Sequence, residues 1–133
     1  MNPPAPARFS LLIAGILGLT GVALGAMGAH QLEPTLTQRG MLHAWETGSR
    51  YHIIHAVALL ALAGWQQARG AAASSAATWA ARCWMVGTLL FSGSLYLLAL
   101  GGPRWLGPVT PLGGVALLAG WACVVGAALA KEK

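Results

Sequence analysis

The sequence contains no aspartate. Three glutamates stand against eight lysines and arginines, and only 8% of the 133 residues are charged. A soluble domain carries about 25%. So few charges cannot coat a water-facing surface, and lipid must solvate much of the chain. Without aspartate there is no Ser-His-Asp triad, and no nucleophile elbow, Walker A or GxGxxG element is present. The basic residues are scattered singly, with no stripe to follow a phosphate backbone. That excludes a nucleic-acid partner despite a formal charge of +5. Cysteine is scarce too. Cys83 and Cys123 have no metal or redox spacing, and both fall in apolar runs, where a free thiol packs as a small apolar group. No disulfide, metal site, cofactor or enzymatic activity is expected.

Apolar residues are abundant: 56% of the chain, with a mean hydropathy of +0.63. A hydrocarbon core of ~30 Å takes ~20 residues of helix. Four segments of the sequence meet or approach that length, at about 9–29, 46–66, 83–103 and 111–130. The expected fold is an all-α membrane protein, four transmembrane helices in an up-down bundle. Residues 1–8 read as a cytoplasmic tail, disordered over MNPPAPA, and 9–133 as one four-span domain. Thr110 is placed to cap the last helix and Pro111 to occupy its first turn. The stretch GAAASSAATWA after Arg69 reads as a short flexible inner connection.

Four spans put both termini on one side, with Arg8, Arg69, Arg82, Lys131 and Lys133. Arg39, Arg50 and Arg104 fall on the other. The positive-inside rule then favours a bacterial inner-membrane protein with cytoplasmic N- and C-termini. Trp65, Trp79, Trp84 and Trp105 fall near the interfaces, as an aromatic belt would. Arg8 followed by an apolar run and ALGAMGA also has the look of a cleavable signal peptide. At about 21 residues the run is long for a signal core of ~7–15.

Apolar burial drives nothing between helices already in lipid, so close backbone approach has to drive their association. Gly21, Gly25 and Ala29 form a small-residue stripe on the first helix, and Ala116 and Gly120 repeat it on the fourth. Such seams serve packing within the chain, or a second copy or another membrane protein. VALLALAGW (57–65) is echoed by VALLAGW (115–121), a short match in a restricted alphabet.

Polar chemistry gathers in HAWETGSRYHIIHA, residues 43–56. Helical spacing divides it into two patches, His43/Glu46/Arg50 and Tyr51/His52/His55. If Trp65 marks the inner interface, His55 lies ten residues away, about 15 Å deep and near the midplane. Glu46 and Arg50 lie nearer the outer surface and can pair there or snorkel. An ionisable residue at depth faces a partner or a cavity. His30, ending the first helix on the same side, is a candidate neighbour. In the third helix Ser92 and Tyr96 share a face and can point inward.

GAMGAH (25–30), TGSRYHIIHA (47–56), FSGSLY (91–96) and TPLGGVALLAGW (110–121) together resemble the small bacterial membrane proteins of the domain-of-unknown-function 423 family, related to the transmembrane protein 256 group. The resemblance touches all four spans. It implies a four-span plasma-membrane protein of unassigned activity. His30, Tyr51, His55, Ser92, Tyr96 and the Thr110-Pro111 turn match the family pattern. His52 departs from it, where glutamine is usual, which puts a joint role for His52 and His55 in doubt. The leading expectation is a structural or accessory membrane protein in contact with lipid. The alternative is a proton-linked transporter, or a lipid, quinone or haem binder, using His30, Tyr51 and His55.

Overall fold

A computed structural model describes residues 4–70 and 74–130. Among these the chain is helical and contains no strand. The helices are α1 (Ala5–Ala29), α2 (Glu33–Gln38), α3 (Leu42–Arg69), α4 (Ser75–Ala99) and α5 (Val109–Leu129), with a 3-10 turn at Arg104–Leu106 before α5. Three stretches are long and apolar enough to cross a membrane: Ala5–Ala29, Ser75–Ala99 and Arg104–Leu129. The longest helix, α3, has 28 residues but falls short in apolarity. Glu46, Arg50, Tyr51, His52 and His55 all lie in its first half.

Several expected boundaries move. Helix α1 starts at Ala5, with Pro6 in its first turn, so the supposed tail is helical from there; residues 1–3 lie outside the described ones. Proline at that place costs no hydrogen bond, because the first N–H groups of a helix have no partner. The connection after Arg69 is also shorter than expected. Ser74 accepts from the Ala77 N–H at 3.3 Å and caps α4, and the alanines beyond it favour helix. Residues 71–73 of that connection lie outside the described ones. Thr110 does not cap α5, which is entered from Pro108 without a side-chain cap. Its hydroxyl bonds Ser94 instead, at 2.6 Å.

The connection between α1 and α3 holds the short α2, which the sequence reading did not anticipate. Gly40, at φ 67°, ends it. Arg39 then reaches across to the end of α4 and donates from Nε to the Ala99 carbonyl at 3.0 Å. A cation suits the negative pole of a helix. The adjacent Gly101 has φ 94°, and a Cβ there would also strike the Arg39 guanidinium.

The main interfaces follow chain order: α1 on α3, α3 on α4 and α4 on α5. Glycines carry the first and the last. On α1 a Cβ at Gly21 would meet Ile53 at 2.7 Å, and one at Gly28 would overlap the Trp45 indole. Ala29 of the expected stripe is exposed, because Gly28, not Ala29, turns toward α3. Between α4 and α5 large and small residues alternate. Trp84 lies over Gly120, Leu117 over Gly87, and the Phe91 backbone over Gly113. Ala116 beside them is half-buried. The echoed glycines do different work, since Gly64 faces open space while Gly120 seats Trp84. The glycine seams are therefore occupied within the chain.

Candidate functional site

Helix α3 is the hub of the polar contacts. His52 is 5% exposed and lies between two helices. Its Nε2 is 3.2 Å from the Thr20 hydroxyl on α1, and its Nδ1 is 3.1 Å from the Tyr96 hydroxyl on α4. The Thr20 hydroxyl also donates to the Ile16 carbonyl at 2.8 Å. With that proton committed, His52 donates from Nε2 to Thr20 and accepts at Nδ1 from Tyr96.

His55, one turn further, is 3% exposed and serves another interface. Its Nδ1 is 2.8 Å from the Tyr51 carbonyl of its own helix, which can only accept. Nδ1 therefore carries the proton, and Nε2 is left to accept. It accepts from the indole N–H of Trp121 on α5 at 3.2 Å. The rings of Trp84 and Trp121 both pack around His55, with centroids 6.0 Å and 6.1 Å from it. All four ring nitrogens of the two histidines are engaged by protein atoms. No nitrogen is left to ligate a metal or haem while these bonds stand.

Other buried hydroxyls tie the same helices. Ser92 donates to the Gly48 carbonyl at 2.7 Å, joining α4 to α3. Near the start of α1 and the end of α3, Ser10 donates to the Gln66 side-chain carbonyl at 2.7 Å. At the opposite end the Trp45 indole donates to the Leu24 carbonyl at 3.0 Å and packs on Tyr96 at 4.7 Å between ring centroids.

The expected site residues separate into four places. Ser92 and Tyr96 point inward, as their shared face suggested, and Tyr96 meets His52. His55 is buried, while Tyr51 is exposed and flanks a lateral apolar cavity of about 460 Å³ with it. His30 is exposed at the end of α1 and does not join them. Glu46 and Arg50 are exposed and border a separate depression of about 560 Å³ with Glu33 and Ser49. Although they are one turn apart, Glu46 and Arg50 form no ion pair among the described residues. Both extend to the surface, where such pairs gain little. His43 is exposed near them. Tyr51, His55, Glu46, Arg50 and His30 therefore do not converge on one cavity.

Sequence reasoning undervalued His52 and missed Thr20, Trp121 and Trp45. It also assigned Trp84 to an interfacial belt. Trp84 is 2% exposed and belongs to the core with Leu59, Leu62 and Leu117. Trp79 and Trp105 are exposed, as belt residues would be. For Trp121 a clue existed. It lies far from any charge in the run ending at Lys131, and a tryptophan placed in hydrocarbon needs a partner for its N–H.

Known proteins now bear on this arrangement. Residues 24–114 match the family model described as "Protein of unknown function (DUF423)". The chain is 46% identical over 128 residues to the UPF0382 inner membrane protein YgdD of Escherichia coli K12, covering 95% of this chain and 94% of that protein. It is 38% identical over 120 residues to the UPF0382 membrane protein YwdK of Bacillus subtilis 168, covering 90% and 94%. With the membrane protein SH2409 of Staphylococcus haemolyticus the identity is 33% over 118 residues, covering 89% and 93%. No solved structure matches. With a family model spanning the end of α1 through the start of α5 and relatives aligned nearly end to end, this chain belongs to the DUF423 family of membrane proteins of unknown function.

Proposed function

We propose that the protein is a four-span inner-membrane protein with both termini cytoplasmic, acting as a structural or accessory component of the membrane rather than as an enzyme. The observation that carries this reading is the full engagement of His52 and His55 by Thr20, Tyr96, Tyr51 and Trp121. The most unusual residues of the sequence are used to hold helices together. The carrier and the quinone or haem binder lose support, because His30 stands apart from Tyr51 and His55.

The pattern of exposure supports α3 as the fourth span. Its buried polar residues face protein, and the surface it leaves outside over its middle is Ile54, Val57 and Leu60. Average hydropathy counts the histidines as if lipid met them. The inner-membrane location is supported by the Escherichia coli relative, an inner membrane protein. The orientation follows the arginines: Arg8, Arg69 and Arg82 lie toward one end, Arg39 and Arg104 toward the other.

Cysteine labelling tests the spans. In a background lacking Cys83 and Cys123, Val57→Cys in intact membranes should resist a water-soluble maleimide added to either side. Gln38→Cys should label from the periplasmic side, and Ser75→Cys only after access to the cytoplasmic side. Rapid aqueous labelling at position 57 would remove α3 from the bilayer.

A further inference from the structure

Helices α3 and α5 both pack on α4 but share no comparable interface with each other. The Trp121–His55 bond bridges them. They leave a lateral cavity of about 490 Å³ open over α4. Its walls are kept back by small side chains, Ala58 and Ala61 on α3 and Ala127 and Ala128 on α5. Trp84 and Trp121 close the deep end, and Arg69 stands at the mouth. The Arg69 guanidinium lies over the Trp65 ring, 5.4 Å from its centroid.

The lining selects the occupant. From Trp121 to Ala130, and from Ala58 to Arg69, the lining helices run ~15 Å, half of the hydrocarbon core. Along that length the walls are alanine, leucine, valine and tryptophan, and Arg69 is the one charged side chain among the lining residues. An apolar groove of that length suits a hydrocarbon chain. The groove ends at an arginine, whose planar fork suits phosphate oxygens. It also ends on the side that carries Arg8 and Arg82. Basic residues at the cytoplasmic surface attract anionic lipid.

We propose that this groove is a binding site for one anionic phospholipid, with an acyl chain between α3 and α5 and its phosphate on Arg69. The site abuts one histidine tie, since Trp121, the donor to His55, closes its deep end. It rests on the four-span reading, which labelling at position 57 checks independently of any lipid.

The test uses the full chain in a mild non-ionic detergent, titrated with phosphatidylglycerol or with phosphatidylcholine of the same acyl chains. Native mass spectrometry reads the lipid retained. The wild type should hold one phosphatidylglycerol in preference to phosphatidylcholine. Arg69→Gln should weaken that retention about five-fold, the effect of one basic residue at an anionic surface. Arg69→Lys should keep most of it, and Arg82→Gln, on the far side of α4, should keep all of it. Ala127→Leu fills the groove and should abolish retention with Arg69 intact; Ala61→Leu repeats the test should the first variant lose helicity. Three results would overturn the proposal. Phosphatidylcholine could be retained equally. Arg82→Gln could weaken retention as much as Arg69→Gln, which would mean diffuse charge. A dimer abolished by Ala127→Leu would mean that a second copy of the chain covers the groove.

Discussion

The indole N–H of Trp121 donates to Nε2 of His55 at 3.2 Å, across a gap that α3 and α5 otherwise leave open. Apolar cavities lie on both sides of this bond, about 490 Å³ toward Arg69 and about 460 Å³ toward Pro111. The bond therefore works as a strap. Its removal should loosen α5 from α3 while leaving the α4–α5 seam intact. Trp121→Phe keeps an aromatic ring and removes the donor. It should lower unfolding stability in detergent by ~0.6–1.7 kcal/mol, the range for interhelical hydrogen bonds in membranes. Combined with His55→Leu it should cost less than the sum of the two single changes. Strict additivity would mean that the contact contributes nothing.

The glycines should divide sharply. A Cβ at Gly113 would overlap the Phe91 backbone, and neither helix can yield without moving. Gly113→Leu should cost several kcal/mol, on the scale of core overpacking or worse (~1–3 kcal/mol and above). At Gly15 a Cβ meets nothing within 4 Å. Gly15→Ala should be neutral, or stabilising by about 0.5–1 kcal/mol through helix propensity. Thermal unfolding of the two variants side by side checks the contrast. Equal destabilisation would show that these helices are not packed in this register.

Arg39 ties the α1–α3 connection to the end of α4 through the Ala99 carbonyl at 3.0 Å. Arg39→Ala should cost about 0.5–1.5 kcal/mol, the worth of one hydrogen bond with some helix-pole attraction. Its clearest trace should be faster amide exchange around Ala99–Gly102, with the middle of α4 unchanged. Uniform protection in both proteins would remove Arg39 from this role.

Much of this architecture was legible in the sequence. The apolar runs place α1, α4 and α5, because lipid leaves few alternatives to a continuous helix. Gly21 and Gly120 were found from small-residue spacing, and the inward turn of Ser92 and Tyr96 from period alone. The misses are informative. Ala29 was chosen over Gly28 because both are small, and only the position of Trp45 distinguishes them. His52 was discounted for departing from the family pattern, yet glutamine and histidine are both two-ended hydrogen-bonding side chains. Either can bridge a hydroxyl on α1 and one on α4. Thr20 and Trp121 were invisible because each partner is more than 30 residues away along the chain. Periodicity reports which face a residue occupies, and not which helix that face meets.

The central claim is that the buried histidines of α3 hold helices together. A double-mutant cycle on His52 and Tyr96 tests it most directly, using His52→Leu, Tyr96→Phe and the pair, with unfolding followed in one detergent. Their side chains approach to 3.1 Å. The expected coupling is ~0.6–1.7 kcal/mol, and His52→Gln should recover most of the loss. Zero coupling, with His52→Leu as stable as the wild type, would contradict the account.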